Sequence, residues 1–322
     1  MDGLADLHAL TDLHDARATG APETSRTLRA PIDCVGTGLH SGRKVSLTLH
    51  PAAAGSGIVF HRTDLGIGIP ARHDHVIDTR LCTVLGLPGH PDATIGTIEH
   101  LMAALAGAGI DTARIEVDGP EIPILDGSAA PFLFLIDCAG TIDLPATRPV
   151  IEVLRPVRVA DGAAFAELRP RPRGFTPASA PRLDLAVSID FEAPAIGRQA
   201  LALPLSTDTF RHDLARARTF TQAGEVAALQ AAGLALGGSL DNAVVVDRAR
   251  VLNPAGLRWP DEFVRHKMLD TVGDLALAGA DLHGSFVGHR SGHKLNNHVL
   301  RALFADARAW RFAARPLAAV AA

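Results

Sequence analysis

The alternation of hydrophobic and polar residues predicts strands in the first part of the chain. In KVSLTLHP, residues 44–51, Val45, Leu47 and Leu49 alternate with polar residues, as in a strand with one buried face. The segments SGIVFHRT and TRLCTVLG are also typical of strands. TIEHLMAALAGAG predicts a helix that ends at Gly107 or Gly109. The strand TARIEVDG and the helix SAAPFLFLIDCAG follow it.

A second run of strands begins at Val150, with VIEVLRPVRV, AAFAELRP and LDLAVSIDF. Within it, residues 169–182 are rich in Pro and Arg and predict a loop. DEFVRHKMLDTVGDLALAG predicts a helix that ends at Gly279, and DLHGSFVGH predicts the strand after it. Helix, glycine and strand thus occur in both halves. We therefore predict an α+β fold of two similar domains, each a β-sheet layered with α-helices.

The segment TIDLPATRP marks the predicted domain boundary, with a first domain over 27–147 and a second over 148–315. Residues 1–26 lack the basic start and apolar core of a signal peptide, and we expect a flexible extension there. We expect residues 316–322 to be a short tail. No apolar run reaches the roughly 20 residues that a membrane-spanning helix needs.

Composition and charge narrow the class of function. Hydrophobic residues make up 47% of the 322 residues and charged residues 20%, as in globular proteins. The formal charge of −4 argues against a nucleic-acid partner, since binding to phosphates needs a basic surface. Cys34, Cys82 and Cys138 are far apart and form no CxxC pattern, which favours a reducing, cytoplasmic location.

The helix predicted over residues 261–279 carries the first candidate chemistry. Its apolar residues fall on one side: Val264, Met268, Val272, Leu275 and Ala276. His266, Asp270 and Asp274 are spaced i, i+4, i+8 on the other side, with Lys267 beside them. Two interpretations remain open, the solvated face of an amphipathic helix or a pair of metal ligands with supporting groups. An imidazole and a carboxylate four residues apart can bind one ion, but a third ligand is needed.

His100 is the best candidate for that third ligand. Glu99 and His100 lie outside the apolar stripe of their helix. A capping box does not explain Glu99, because the position three residues earlier is Gly96. An exposed polar pair is one interpretation. The other is a water-activating metal site, in which two His and one Asp leave one zinc position open and Glu99 accepts a proton.

Further histidines belong to two other segments. His293, in SGHKLNNH, is a candidate proton donor or positive charge near an oxyanion, and Asp274 is a candidate to orient its ring. His73 and His75, in ARHDHVID, form a possible rival metal pair. For these two residues we favour a surface strand.

Several long segments resemble one known family. They are GTGLHSGRKVSLTL, DTRLCT, TIEHLMAALAGAGIDTARIEVDGPEIPILDGSAAPF, RARTF, LGGSLDNAVVVD and DEFVRHKMLDTVGDL with SGHKLNNH. In order, from about residue 27 to about residue 315, they are similar to the UDP-3-O-acyl-N-acetylglucosamine deacetylases. These are zinc amidohydrolases of lipid A, and hence lipopolysaccharide, biosynthesis in Gram-negative bacteria. They remove the acetyl group from UDP-3-O-(3-hydroxyacyl)-N-acetylglucosamine, the committed step.

The resemblance implies a zinc site formed by His100, His266 and Asp270. This ligand set also accepts Fe²⁺, so the native metal stays open. Glu99 becomes the general base toward the zinc-bound water. His293, with Asp274 behind it, becomes the group that protonates the leaving amine. The resemblance also implies that the helix layers of the two domains face each other across the active site, in a cytoplasmic protein that we expect to be a monomer.

The resemblance further implies how the substrate is held. Thr219 stabilises the oxyanion together with zinc. Lys267 is assigned to the catalytic group and also helps to hold the sugar nucleotide. Substrate contacts are implied for Phe220, Leu81, Cys82, Gly238, Ser239 and Arg290, the last of them with the diphosphate. A βαβ insert near residues 219–247 forms the acyl-chain passage.

The chain departs from the family's pattern at a few positions. Thr221 and Gln222 stand where Gly-Phe is typical, and Arg80 replaces an apolar residue. Lys294 replaces a small residue, and we expect this cation to lower the pKa of His293. Two other functions remain open: a zinc hydrolase of the same fold acting on another N-acyl sugar, and a binding protein that kept the fold.

Overall fold

The computed structural model describes residues 24–171 and 183–313. Residues 1–23 of the predicted extension, most of the predicted loop over 169–182 and the predicted tail over 316–322 lie outside the described residues. The first strand begins at Thr24, three residues before the start predicted from the sequence. It pairs antiparallel with the strand Thr141–Thr147, which contains most of the segment predicted to be the domain boundary.

In the first half, the described residues form ten strands and two longer helices. The strands are β1 (Thr24–Leu28), β2 (Ile32–Thr37), β3 (Lys44–His50), β4 (Ile58–Arg62), β5 (Ile67–Pro70), β6 (Val76–Asp78), β7 (Val84–Leu87), β8 (His90–Ile95), β9 (Ala113–Val117) and β10 (Thr141–Thr147). The helices are α1 (Glu99–Gly107) and α2 (Ala130–Ala139).

In the second half, residues 148–171 and 183–313 form the other described strands and three longer helices. The strands are β11 (Val150–Val153), β12 (Val157–Asp161), β13 (Ala164–Arg169), β14 (Leu183–Asp190), β15 (Arg198–Leu205), β16 (Phe220–Gln222), β17 (Val244–Asp247), β18 (Arg250–Val251), β19 (Asp281–His289) and β20 (Trp310–Phe312). The helices are α3 (Ala223–Ala231), α4 (Glu262–Ala276) and α5 (His293–Ala305). A short helical segment spans Thr207–Thr209 and continues as a π-helix over Phe210–Leu214.

The two faces of β3 differ in burial, as the alternation of its residues predicted. Val45, Leu47 and Leu49 are buried, whereas the polar residues between them face outward or are half-buried. The strand belongs to a five-stranded sheet with the order β2-β3-β9-β4-β5. Helix α2 contacts both β2 and α1, so one side of this sheet is covered by helix while the other meets solvent. This is the arrangement that alternation along a strand predicts.

The second large sheet is built around β19, which is buried along almost its whole length. The sheet has the order β12-β13-β19-β11-β20, with β14 also on β19 and β15 on β14. β19 runs antiparallel to β13 and parallel to β11 and β14. In the first half, β9 likewise runs antiparallel to β3 and parallel to β4. The predicted α+β class is confirmed.

The predicted repeat of helix, glycine and strand is present in both halves. α1 is followed by Gly109, with φ of +74°, and then by β9, while α4 is followed by Gly279, also with φ of +74°, and then by β19. A positive φ favours glycine because it has no Cβ. The two glycines therefore turn the chain from helix to strand in the same way.

Helices α1 and α4 cross at Gly273. A Cβ atom at this position would lie only 2.0 Å from the carbonyl oxygen of Glu99, so the two backbones approach too closely for any other residue without movement. Glycine here allows the helix that carries His100 to lie directly against the helix that carries His266 and Asp270.

Two local predictions are corrected by the structure. His73–His75 form a turn of 3₁₀-helix and not a strand, and the ring of His73 stacks on Phe304 with a centroid distance of 4.3 Å. The strand predicted over TRLCTVLG is limited to β7, with irregular backbone before it.

A βαβ unit is formed by β16, α3 and β17, since β16 and β17 pair in parallel. Among the described residues, no helix has the length and apolar character that crossing a membrane requires.

Candidate active site

The polar row on α4 is buried, so the interpretation as a solvated face is wrong. His266, Asp270 and Asp274 are each at most 3% exposed. Val264 and Met268, on the opposite side, are also fully buried, because α4 packs against α1 on one side and against β14 and β15 on another. Glu99 and His100 on α1 are buried as well, which excludes the exposed polar pair.

The fold brings His100 close to His266 and Asp270, although His100 is far from both along the chain. The Nε2 atoms of His100 and His266 lie 3.5 and 3.2 Å from Asp270 Oδ1. One possible ligand atom from each residue lies within 4.8 Å of the others. Ligands about 2.0–2.1 Å from a tetrahedral zinc ion are about 3.3–3.4 Å apart. The two shortest separations therefore fit the edges of a zinc coordination tetrahedron.

The surrounding hydrogen bonds leave the ligand atoms free. His266 Nδ1 donates to the carbonyl oxygen of Ala217 at 3.0 Å, so its Nε2 keeps a lone pair. Lys267 Nζ donates to Asp270 Oδ2 at 2.7 Å, while Asp270 Oδ1 accepts no hydrogen bond within the described part of the chain. A buried carboxylate oxygen without a donor is costly, and a cation between the two rings removes that cost. The donor set thus fits a divalent metal.

The pKa values of these groups favour the ligand forms. Burial lowers the pKa of His266 to about 3, which keeps the imidazole neutral. Burial alone would raise the pKa of Asp270, but His266 and then Lys267 outweigh it and hold that pKa well below its usual range. Burial opposes the charge of Lys267 too, yet Asp270 and other carboxylates raise its pKa. Asp270 therefore stays a carboxylate beside a permanent cation.

Glu99 lies next to the ligand set and has few partners of its own. The backbone N–H of Thr83 donates to Glu99 Oε2 at 3.0 Å. Glu99 Oε1 lies 4.0 Å from His293 Nε2, so both side chains border the same small space. Burial raises the pKa of Glu99, which moves this carboxyl group toward the range in which a general base works near neutral pH.

His293 is held by a network around Asp274. His293 Nδ1 donates to Asp274 Oδ2 at 2.9 Å, and Asn296 Nδ2 donates to the same oxygen at 2.9 Å. Thr83 Oγ1 donates to Asp274 Oδ1 at 2.6 Å. Burial alone would lower the pKa of His293, but Asp274 and then Glu99 raise it to about 9. His293 is thus an imidazolium whose free Nε2–H is directed toward Glu99.

The expected influence of Lys294 on His293 is wrong. Lys294 is exposed, and its Nζ donates to Asp161 Oδ2 at 2.8 Å. The pKa of His293 is raised rather than lowered, because the ammonium group is paired in solvent while the carboxylates are buried beside the ring. Arg80, another departure, is also exposed and pairs with Asp78.

Two members of this network, Thr83 and Asn296, were not singled out from the sequence. Thr83 joins Glu99 and Asp274 through its amide and its hydroxyl, although 191 residues separate it from Asp274. Spacing along the chain gives no signal for such a contact. Asn296 lies one helical turn after His293 on α5, and this i, i+3 spacing was an available signal.

Phe220 lies beside His266, and Thr219 precedes it in the chain. Thr219 is half-buried, its backbone N–H donates to Gly127, and its carbonyl oxygen accepts from Val244. The ring centroid of Phe220 lies 6.2 Å from that of His266, and Lys267 Nζ lies 5.6 Å from the Phe220 centroid. An aromatic face and a cation therefore stand together at the side of the site where Lys267 is half-buried.

The other predicted substrate-binding residues differ in their exposure to solvent. Leu81 is 44% exposed, whereas Cys82 is buried, and burial, followed by Glu99, raises the pKa of the Cys82 thiol to about 12. Gly238, Ser239 and Arg290 are exposed. Arg290 has φ of +49°, and its backbone N–H donates to Ser188. Within the described part of the chain, no hydrogen bond links these three residues to the metal ligands.

A buried two-His, one-Asp ligand set with an adjacent carboxylate and an imidazolium defines the site of a metal-dependent amidohydrolase. Residues 25–305 match the family described as LpxC: UDP-3-O-acyl N-acetylglycosamine deacetylase. The chain belongs to this family of deacetylases.

Individual relatives align with this protein over nearly the whole chain. A UDP-3-O-acyl-N-acetylglucosamine deacetylase of Anaeromyxobacter dehalogenans is 49% identical over 286 residues, covering 89% of each chain. Enzymes with the same description from Acidithiobacillus ferrooxidans and Pasteurella multocida are each 49% identical over 291 residues, covering 89% of this chain and 92% of theirs.

Proposed function

We propose that this protein hydrolyses the acetamide of UDP-3-O-(3-hydroxyacyl)-N-acetylglucosamine to acetate and the free amine. The observation that supports this most directly is Asp270 Oδ1, a buried acceptor without a donor, between the Nε2 atoms of His100 and His266. We propose that these three residues hold Zn²⁺, with Fe²⁺ as a possible native alternative. When bound, the ion supplies Lewis acidity that polarises a carbonyl group and acidifies water.

The protein's own groups carry the proton transfers. Glu99 accepts a proton from the attacking water, whose oxygen forms the new bond to the acetyl carbon. The C–N bond then breaks, and the leaving nitrogen takes the proton from His293 Nε2. Asp274 fixes the ring and stabilises its charge through the bond to Nδ1. The separation of 4.0 Å between Glu99 Oε1 and His293 Nε2 supports a base and an acid that act on the same tetrahedral centre.

The substrate contacts are proposed on the same basis. Thr219 stabilises the developing oxyanion, a role for which one donor contributes about 10²–10³-fold. Lys267 and Phe220 hold the sugar nucleotide, which their position beside His266 supports. The remaining contacts are assigned to the sugar nucleotide, the diphosphate and the acyl chain: Leu81, Cys82, Gly238, Ser239 and Arg290. The βαβ unit of β16, α3 and β17 is proposed to form the acyl passage.

We also propose the finer arrangement of the fold. Residues 27–147 and 148–315 are assigned to two similar domains whose helix layers face each other around the active site. The crossing of α1 and α4 at Gly273 supports this assignment, and so does the parallel and antiparallel pairing shared by β9 and β19. We further propose that the enzyme acts in the cytoplasm as a monomer.

The substitution Glu99→Ala tests the proposal. Deacetylation is expected to fall by about 10²–10⁴-fold, whereas zinc content, measured by elemental analysis, stays at that of the unmodified protein. The exposed Glu192 provides the control, because Glu192→Ala removes a glutamate for which no hydrogen bond or ion pair to the active-site residues is described. Loss of zinc from the Glu99 variant would show that Glu99 is a ligand and not the base.

Substrate choice is tested separately. The unmodified protein should turn over the acylated nucleotide, while UDP-N-acetylglucosamine without the acyl chain reacts far more slowly. Equal rates would favour a zinc hydrolase with another natural substrate. A protein that holds stoichiometric zinc but is inactive on every N-acetyl sugar tested would instead be a binding protein, and the proposed function would be wrong.

A further inference from the structure

The polar row on α4 extends one turn further than the proposed chemistry requires. Glu262, His266, Asp270 and Asp274 follow one another at intervals of four residues, and Glu262 is 0% exposed. No step of the proposed reaction uses Glu262. A carboxylate that is removed completely from water needs strong partners. One partner of Glu262 is Arg218, which follows Ala217, the residue whose carbonyl oxygen accepts from the metal ligand His266.

Glu262 accepts four hydrogen bonds from two arginine residues. From Arg218, the backbone N–H donates to Oε1 at 3.1 Å, Nε donates to Oε1 at 2.9 Å, and Nη2 donates to Oε2 at 3.1 Å. The backbone N–H of Arg258 donates to Oε2 at 2.6 Å. The Arg218 side chain is itself 8% exposed, so this is a buried, bidentate ion pair of the geometrically specific kind.

The segment that contains Arg218 is fixed at each of its residues. The Arg216 carbonyl oxygen accepts from Arg258 Nη1 at 2.6 Å. Thr219 N–H donates to Gly127 at 2.8 Å. Between them, the Ala217 carbonyl oxygen accepts from His266 Nδ1 at 3.0 Å. The Arg218–Glu262 pair is therefore one of the contacts that fix this carbonyl group relative to α4.

We infer that Arg218 and Glu262 form a positioning pair for the metal ligand His266. Glu262 and His266 lie one turn apart on the same face of α4 and bind consecutive residues, Arg218 and Ala217. The pair thus holds the Ala217 carbonyl against Nδ1, which keeps the proton on that nitrogen and leaves Nε2 as the ligand atom. Such outer partners of a metal-bound histidine typically contribute 10–100-fold to metal affinity. The inference rests on the proposed zinc site.

A general contribution to folding is the competing explanation, and the chain offers a control arginine of similar burial. The side chains of Arg62 and Arg218 are 6% and 8% exposed, whereas those of their partners Asp64 and Glu262 are 37% and 0% exposed. Arg62 forms a bidentate pair with Asp64, and its Nη1 donates to the carbonyl oxygen of Thr94. Arg218 combines its pair to Glu262 with a hydrogen bond from Nη2 to the carbonyl oxygen of Gly256. Arg62 has no described contact with a metal ligand.

The experiment compares Arg218→Lys with Arg62→Lys in the full-length protein. Lysine keeps the charge but loses the planar, bidentate geometry. Zinc affinity is measured by titrating metal-stripped protein with Zn²⁺ against a chromophoric chelator. The tautomer of His266 is measured by ¹⁵N NMR of the metal-free, histidine-labelled protein, with His266→Gln used for assignment. Circular dichroism verifies folding, and Glu262→Gln replaces Arg218→Lys if the latter does not fold.

We expect Arg218→Lys to lower zinc affinity by about 10–100-fold and to move His266 from the Nδ1–H form to a mixture of tautomers. Arg62→Lys should change zinc affinity by less than about twofold, since it does not touch the site. Unchanged affinity and tautomer in the Arg218 variant, or equal losses in both variants, would overturn the inference. If the unmodified protein itself binds no zinc, the proposed function fails instead.

Discussion

Replacing Asp274 with Asn removes the negative charge beside His293 while almost preserving the shape of the side chain. The amide oxygen of Asn can still accept the hydrogen bonds from His293 Nδ1 and Asn296 Nδ2 that Asp274 Oδ2 accepts. The amide NH₂ then faces Thr83, whose hydroxyl group can rotate and accept. The geometry of the network is therefore retained, and its charge is not.

The size of the effect follows from the pKa of His293. Burial lowers that pKa, but Asp274 and then Glu99 raise it from 6.5 to about 9. The rise of about 2.5 units corresponds to about 3 kcal/mol of preference for the charged ring. Without Asp274, we expect the pKa to fall below about 7. At pH 7.5 the protonated fraction would then drop from ~97% to ~24% or less.

Two assays measure this change. In the metal-free protein, NMR titration of the His293 ring gives its pKa directly. In the zinc-loaded enzyme, the high-pH limb of kcat, which reports loss of the proton from His293, should move to lower pH in Asp274→Asn. Asp161→Asn is the control, because it removes a carboxylate next to the exposed Lys294 without touching the buried network. A His293 pKa that stays near 9 in Asp274→Asn would refute the reasoning.

The same substitution changes the dependence of stability on pH. A pKa that is higher in the folded state contributes stability that is fully present below the unfolded value of about 6.5 and is lost as the pH rises through about 9. The difference in unfolding free energy between the unmodified protein and Asp274→Asn should therefore be largest below pH 6.5. Chemical denaturation of the metal-free proteins at several pH values measures it, and a difference that grows toward pH 9 would contradict the sign.

Three further predictions concern the same site. Thr83→Val removes the hydroxyl donor to Asp274 but keeps the amide donor to Glu99. Because a hydrogen bond to a charged group contributes about 1.5–3 kcal/mol, its loss should lower kcat by about 10–100-fold with little change in KM. Thr83→Ser should restore most of the rate, and an unaffected Val variant would remove Thr83 from the network. Lys267→Met leaves Asp270 Oδ2 without its donor and should weaken zinc binding by about tenfold or more, as measured by competition with a chelator; unchanged affinity would show that the cation acts on substrate alone. Removal of zinc should abolish turnover and lower the unfolding free energy, and readdition at 1,000 times the Kd should restore about 4 kcal/mol, unless the metal also binds the unfolded chain.

The sequence predicted secondary structure best where one side of an element meets solvent. The pattern of β3 matched its structure because only one of its faces is buried. On α4, the period of the residues correctly grouped His266, Asp270 and Asp274 but gave no information about what covers them. Periodicity gives the angular positions of residues around a helix axis. Whether the polar row of α4 is exposed to solvent or buried depends on how α1 packs against it.

Short-range spacing was also misleading at His73 and His75. Residues two apart share a face of a strand, but these two lie in a 3₁₀ turn in which Arg72 and His75 both bond to Asp74. Side-chain hydrogen bonds of this local kind compete with extended structure. Thr83 was missed for the opposite reason, since its partner Asp274 is distant in sequence and the contact arises only when the two halves of the chain meet.

Gly273 gives the site a fixed dimension. Because the α4 backbone rests on the carbonyl group of Glu99 at this residue, the separation of α1 and α4 is set by main-chain atoms, which cannot be trimmed or repacked. We therefore expect substitutions of neighbouring hydrophobic residues to change the span between Glu99 and the ligands on α4 less than a substitution at Gly273 would. A methyl group at position 273 would widen that span at once, so we expect selection to tolerate almost no exchange there even where the folded state survives it.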